Sequence, residues 1–150
     1  MTDLPPLRAS DWRIGVWRAY LRSHAEMVRR LERDLQASAD LPLAWYDVLL
    51  QLAEADGHRL RMAELAARVL LSRSGLTRLV DRLAAEGLVT RAPYPGDARG
   101  LYTVLTDQGL TRLRAAAPVH LDGIRRYWLS KFTDTELIEL GELFARLEAE

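Results

Sequence analysis

Four side chains spaced for one helix face hold most of the recognisable chemistry in this sequence. In SRSGLTRLVDRLAAEG, residues 72–87, Ser74, Thr77, Arg78 and Asp81 fall on one side of a helical repeat, with Arg73 at its edge. Hydroxyls and a guanidinium side by side are the groups that hydrogen-bond the edges of base pairs in a major groove. The other side carries Leu76, Leu79, Val80 and Leu83, the i, i+3, i+4, i+7 stripe of a buried face. A helix of this kind offers its polar side only if neighbouring elements hold the apolar one.

Those elements can be read on either side. MAELAARVLL, residues 62–71, predicts a shorter helix and a tight turn before the first. Ser72 is placed to cap the second helix and Gly87 to end it in a left-handed conformation. LVTRAP and LYTVLT then read as two short strands, and YPGDARG between them as a reversing loop. Asp97 and Arg99 stand at its tip, where an Arg can reach phosphates or a minor groove. Arg91, in the ribbon, either contacts a nucleic-acid backbone or pairs with Asp81 or Asp97. Asp81 repels phosphate and is read, with Asp97, as wing support that orients Arg78 or a wing Arg. The order predicts a winged helix-turn-helix lobe over residues 57–106, within a mainly α (α+β) fold.

The flanks read as helices. Residues of roughly 8 to 38 carry Ile14, Leu21, Val28 and Leu35 every seven positions, with Trp17, His24 and Leu31 as a second seam. A heptad stripe of that length asks for a partner helix. Pro42 starts a second helix that ends at Asp56-Gly57, and His58 to Leu60 is expected as a third strand. Thr106 caps a helix running to about Ser130, with a kink expected at Pro118. Thr133 and Glu136 form a capping-box pair before the face of Leu137, Leu140, Phe144 and Leu147. Trp12, Trp17, Trp128, Phe132 and Phe144 exceed what a winged lobe needs. Residues 1–56 and 107–150 are therefore read as a helical region, expected either as N- and C-terminal dimerisation helices or as a larger intramolecular helical core.

Composition narrows the class. A chain of 150 residues, 49% apolar and 28% charged, is one ordinary globular domain. Net charge is zero, but residues 57–100 hold eight Arg against Glu64, Asp81, Glu86 and Asp97, a local excess of four positive charges. A basic lobe on an acidic body suits a protein with one face toward phosphates. There is no cysteine nucleophile, Gly-rich phosphate loop or G-x-S-x-G elbow, so an enzyme is not expected. The three His show no metal spacing, and neither metal nor cofactor is expected. No secretory signal or membrane-length apolar run is present, which reads as a cytoplasmic protein without a membrane partner.

The chain resembles the MarR family of transcriptional regulators over nearly its whole length. The resemblance rests on RMAELA, on SRSGLTRLVDRLAAEGLVTR, on the D-x-R of Asp97 and Arg99, and on the LT-x-x-G of Leu105, Thr106 and Gly109. Ala98 stands where many members carry a second basic residue. The resemblance implies a homodimer, double-stranded DNA with a pseudopalindromic operator as partner, and often a small organic ligand that releases the DNA, here with the repressor as the expected mode. Its DNA-contacting residues would be Ser72, Arg73, Ser74, Thr77, Arg78, Arg91 and Arg99. A ligand, an aromatic acid in many members, would lodge between the dimer helices and the winged lobe against Trp17, Tyr20, His24, Trp45, Tyr46 and Asp47. His24 and Arg91 are the candidate cations for its carboxylate. Urate-responsive members are similar at Asp47, Arg78, Arg91 and Trp12; the plainer reading of Asp47 is a carboxylate exposed or bonded to a backbone amide. The alternative function is a winged-helix protein-interaction module, which steep salt dependence of duplex binding would exclude.

Overall fold

The computed structural model describes residues 8–69, 73–96 and 100–149. Its helices are α1 (Trp12–Ala39), α2 (Leu43–Glu54), α3 (Met62–Arg68), α4 (Arg73–Ala85), α5 (Asp107–Tyr127) and α6 (Asp134–Glu148), and its strands are β1 (Arg59–Arg61), β2 (Val89–Pro93) and β3 (Leu101–Leu105). Two compact units result: Met1–Arg33 with Gly123–Glu150, and Asp34–Asp122. The expected lobe of residues 57–106 lies wholly inside the second. That unit also holds α2 and most of α5, because their apolar side chains enter the same core.

In the Asp34–Asp122 unit, α1 ends at Asp40, whose φ of 47° turns the chain out of the helix. Arg112 of α5 donates to the Asp40 carbonyl at 2.8 Å, supplying a partner that the helix end leaves unmade. Pro42 caps α2, one residue ahead of its first turn. A 3-10 turn, Asp56–His58, then places Gly57 and His58 in the left-handed region before β1. β1 is Arg59–Arg61, shifted one residue from the expected His58–Leu60, because the turn uses His58. The Glu64 carboxylate accepts from Arg61 N at 2.8 Å and caps α3.

The sheet is antiparallel in the order β1-β3-β2, with Leu60 opposite Thr103 and Val89 opposite Leu105. Leu60, Val89, Thr103 and Leu105 are buried on one face. Thr103 keeps its hydroxyl partnered inside by donating to the Met62 sulfur at 3.3 Å. Elsewhere on the sheet the Arg59 and Arg61 guanidiniums stack on Tyr102 and Tyr94 at 4.7 and 5.1 Å, and the two phenol rings meet edge-on at 5.2 Å. Leu35, Leu49, Leu52, Leu65, Leu76 and Leu83 are wholly buried in one core. Each such leucine contributes roughly 1.5–3 kcal/mol of apolar transfer.

The joint from β3 into α5 explains the L-T-x-x-G motif. Thr106 Oγ1 donates to the Gly87 carbonyl at 2.7 Å and accepts from Gly109 N at 3.0 Å. One hydroxyl therefore caps α5 and ties it to the end of α4. Gly87 has φ +74°, the left-handed stop expected of it. A Cβ on Gly109 would fall 2.0 Å from the Leu88 carbonyl oxygen, so only glycine lets α5 approach this closely.

In the other unit, α1 and the end of α5 meet where a Cβ on Gly123 would lie 2.6 Å from Leu31 Cδ2. α5 continues through the exposed Pro118 to Tyr127 and stops short of Ser130, which falls in a 3-10 turn, Leu129–Lys131. On an exposed face, the carbonyl that loses its bond at Pro118 can turn to water, so the helix persists. Thr133 and Glu136 make the reciprocal cap of α6, at 2.7 Å and 3.3 Å. Much of the apolar surface stays uncovered: Trp12 is 77% exposed, Ile138 66% and Leu147 76%. Of the two heptad seams on α1, only Leu31 and Leu35 are buried. No described helix is long and apolar enough to cross a membrane.

Candidate nucleic-acid interface

α3 packs against α4, and α4 against β2, which fixes the helix by its stripe of Leu76, Leu79, Val80 and Leu83, all buried. The opposite face presents Ser74, Thr77, Arg78, Asp81 and Arg82 to solvent. The Arg78 guanidinium has no ion-pair partner among the described residues. Arg82 donates to the Arg78 carbonyl at 3.4 Å, which sets a second cation one turn along. Arg82 was not singled out in the sequence, although it stands i, i+4 from Arg78. Ser72, Asp97 and Arg99 lie outside the described residues, as does the side chain of Arg73.

Arg91 turns toward the helix. Its Nη2 donates to Asp81 Oδ1 at 2.5 Å, joining β2 to the outward face of α4. Of the alternatives left by the sequence, the structure has Arg91 in the pair with Asp81. Both side chains are well exposed, so the pair serves geometry more than stability: such contacts contribute about 0–1 kcal/mol. Arg91 is accordingly held at the ribbon beside α4.

The six candidate ligand residues divide between the two units. On α1, Trp17, Tyr20 and His24 form a row with ring centroids 5.7 and 6.3 Å apart. Tyr20 and His24 also line a pocket of about 470 Å³ with Met27, Trp128, Phe144 and Leu147, which Trp17 does not join. On α2, Trp45 is half-buried against the core and Tyr46 is buried in it. Tyr46 meets His120, a residue that stands alone in the sequence, at 4.4 Å between ring centroids. Asp47 is half-buried, which raises its carboxyl above the usual range; a hydrogen bond from Gln51 and the nearby His120 act the other way. Among the described residues no group of His, Asp and Glu could hold a metal ion.

A helix-turn-helix followed by a two-stranded antiparallel ribbon defines a winged helix-turn-helix protein, and the long flanking helices narrow the class. A family profile described as MarR family matches residues 39–100. The solved structure of a MarR family transcriptional regulator from Streptomyces coelicolor in complex with DNA is 36% identical, with TM-score 0.85, over 95% of this chain and 92% of that one. A second regulator from that organism, AbsC, is 31% identical with TM-score 0.85, over 97% of this chain and 100% of its own. The transcriptional repressor YetL of Bacillus subtilis strain 168 is 34% identical over 106 residues, covering 68% of this chain and 63% of YetL. The matched part thus spans less than two thirds of that relative's length. This chain belongs to the MarR family of transcriptional regulators.

Proposed function

We propose that this chain is a homodimeric repressor that reads a pseudopalindromic duplex with α4 and the wing, and that a small organic ligand, an aromatic acid, releases the DNA. The observation that carries the reading is the outward face of α4, where Arg78 stands without an ion-pair partner among the described residues, opposite a wholly buried stripe. The complex of the similar Streptomyces regulator with DNA supports duplex as the partner, and the name of YetL supports repression. Ser72, Arg73, Ser74, Thr77 and Arg78 are assigned to the groove and Arg99 to the backbone or minor groove beside it. Asp81 positions Arg91, and Asp97 supports the tip. Residues 57–106 act as the DNA-binding lobe and residues 1–56 and 107–150 as the dimerisation region.

A two-fold dimer places two α4 helices about one helical turn of DNA apart, so half-site centres are expected roughly 10 bp apart. Selection from random duplex, followed by footprinting, tests this. Binding that shows neither an inverted repeat nor a salt dependence would defeat the reading in favour of a protein-interaction module.

Dimerisation explains the uncovered apolar side chains at both chain ends. Sedimentation at micromolar concentration is expected to show about twice the 17.0 kDa chain mass. Leu21→Glu, on the exposed heptad seam, is expected to give a folded monomer with greatly weakened operator binding. A wild-type monomer that binds operator fully would contradict the dimer.

For the ligand, the pocket with Tyr20 and His24 has the size of small-molecule sites, roughly 300–1,000 Å³. It combines aromatic walls with His24, able to meet a carboxylate, and with Glu148, which opposes one and sets a limit on the ligand's charge. Salicylate-like and urate-like acids, read by tryptophan fluorescence and operator binding, test this part. Silence in both signals at millimolar acid would remove the ligand and leave the DNA reading standing.

A further inference from the structure

Within the Asp34–Asp122 unit, α2 and α5 meet through an aromatic pair that contains an ionisable ring. The His120 ring of α5 lies 4.4 Å from the Tyr46 ring of α2, tilted by 38°. Its Nδ1 is buried and has no hydrogen-bond partner among the described residues. Tyr46 is buried as well, so the stack cannot slide into solvent without opening the contact. The titratable groups facing it come from α2: Tyr46 itself, Asp47, whose carboxylate acts on His120, and Glu54, which acts on Tyr46 and Asp47.

A neutral imidazole suits this seat. With its proton on Nε2, the buried Nδ1 is a lone pair that lacks a donor, a smaller defect than an ionic N–H lacking an acceptor. Protonation would put a charge and a second N–H into the contact. We propose that His120 is a proton-operated switch between α2 and α5, whose neutral ring holds the two helices together and whose charged ring parts them. This rests on the duplex-binding reading above for its effect on function. α2 leads through Ala55 and the Asp56–His58 turn into β1, and it packs against α3, so a change at Tyr46 reaches the helix-turn-helix directly.

The direction follows from burial. Burial lowers the His120 pKa from 6.5, with Asp47 opposing, so the closed contact binds a proton less readily than the open one. Closure is therefore fully favoured above 6.5 and weakens as pH falls through the lowered value. Asp47 acts with the opposite sign. Its raised carboxyl takes up a proton more readily when closed, which favours closure in a more acid window reaching down to 3.8. The switch works in the interval just below neutrality, where His120 dominates.

The test is operator binding by fluorescence anisotropy at about pH 7.5 and about pH 5.5, either side of the ordinary His value. Wild type is expected to bind several-fold more weakly at the lower pH, the direction that a lowered His120 pKa in the closed contact requires. His120→Gln is expected to bind with little pH dependence. Asp47→Asn is expected to move the wild-type midpoint to lower pH, since the opposing charge is gone. The same pH profile in His120→Gln as in wild type overturns the switch. Titration of the His120 ring by NMR in the DNA-free protein judges it separately, and decides it if His120→Gln does not fold. A midpoint below 6.5, accompanied by a shift of the Tyr46 ring signals, is expected. A midpoint at or above 6.5 with Tyr46 unchanged overturns it. Failure of the wild type to bind any duplex at any pH would instead count against the DNA reading, and the NMR titration would still decide the proton switch.

Discussion

Gly109→Ala is expected to destabilise the chain by about 2–3 kcal/mol, near the upper range for overpacking a tight site. The added Cβ would lie 2.0 Å from the Leu88 carbonyl oxygen and 2.7 Å from Leu105 Cδ1. The leucine side chain can turn aside, but the carbonyl cannot, because it already accepts from Thr106 N at 3.1 Å. Relief therefore moves the first turn of α5 away from Leu88 and strains the Thr106 cap as well. Alanine's better helix propensity returns only about 1 kcal/mol of this. A control of opposite sign is available in α1. A Cβ on Gly15 meets nothing within 4 Å, and Gly15 lies off both heptad seams. Gly15→Ala is expected to stabilise by up to about 1 kcal/mol. Urea denaturation of the two variants compares them, and equal midpoints would refute the close-approach account of Gly109.

Much of this fold was legible because its determinants are local. The stripe on α4, the left-handed Gly87, and the Thr106 and Thr133 caps each depend on residues within a few positions of one another. The one-residue shift of β1 was not legible, because it depends on His58 adopting a left-handed turn whose ring sits 2.9 Å from the Ala53 carbonyl. The heptad stripe was read correctly as a pattern, but the pattern does not say what covers it. Within the chain it buries only Leu31 and Leu35. The approach of Gly109 to Leu88 and the stacking of Arg59 on Tyr102 join separate elements and leave no periodic trace.

Side-chain pairing was the less legible part of the site. A sequence states that Asp81 and Arg91 carry opposite charges, but only the packing of β2 beside α4 brings them together. His120 was invisible for the same reason: a lone histidine acquires its significance from Tyr46, far away on another helix. Composition marks the Trp and Tyr of α1 and α2 alike, and only packing shows that Tyr46 is buried while Tyr20 lines a pocket.

Arg78→Ala is expected to weaken operator binding by about 1–3 kcal/mol, the discrimination that one bidentate base contact supplies. The loss should be confined to specific sequence, with a much smaller change on random duplex. Asp81→Ala separates reading from holding. The exposed Asp81–Arg91 pair contributes little to folding, so thermal stability should change by less than about 1 kcal/mol. Its removal deletes a carboxylate that repels phosphate and frees the Arg91 guanidinium. Binding to random duplex should tighten and its salt slope steepen by about 1, as one more cation becomes available to the backbone. Operator discrimination should fall, because a freed Arg91 no longer fixes β2 against α4. The two variants are thus expected to lose specificity by opposite routes, Arg78→Ala through weaker operator binding and Asp81→Ala through tighter binding everywhere else. If Arg78→Ala weakens operator and random duplex by the same factor, Arg78 is a phosphate contact and sequence is read elsewhere on α4.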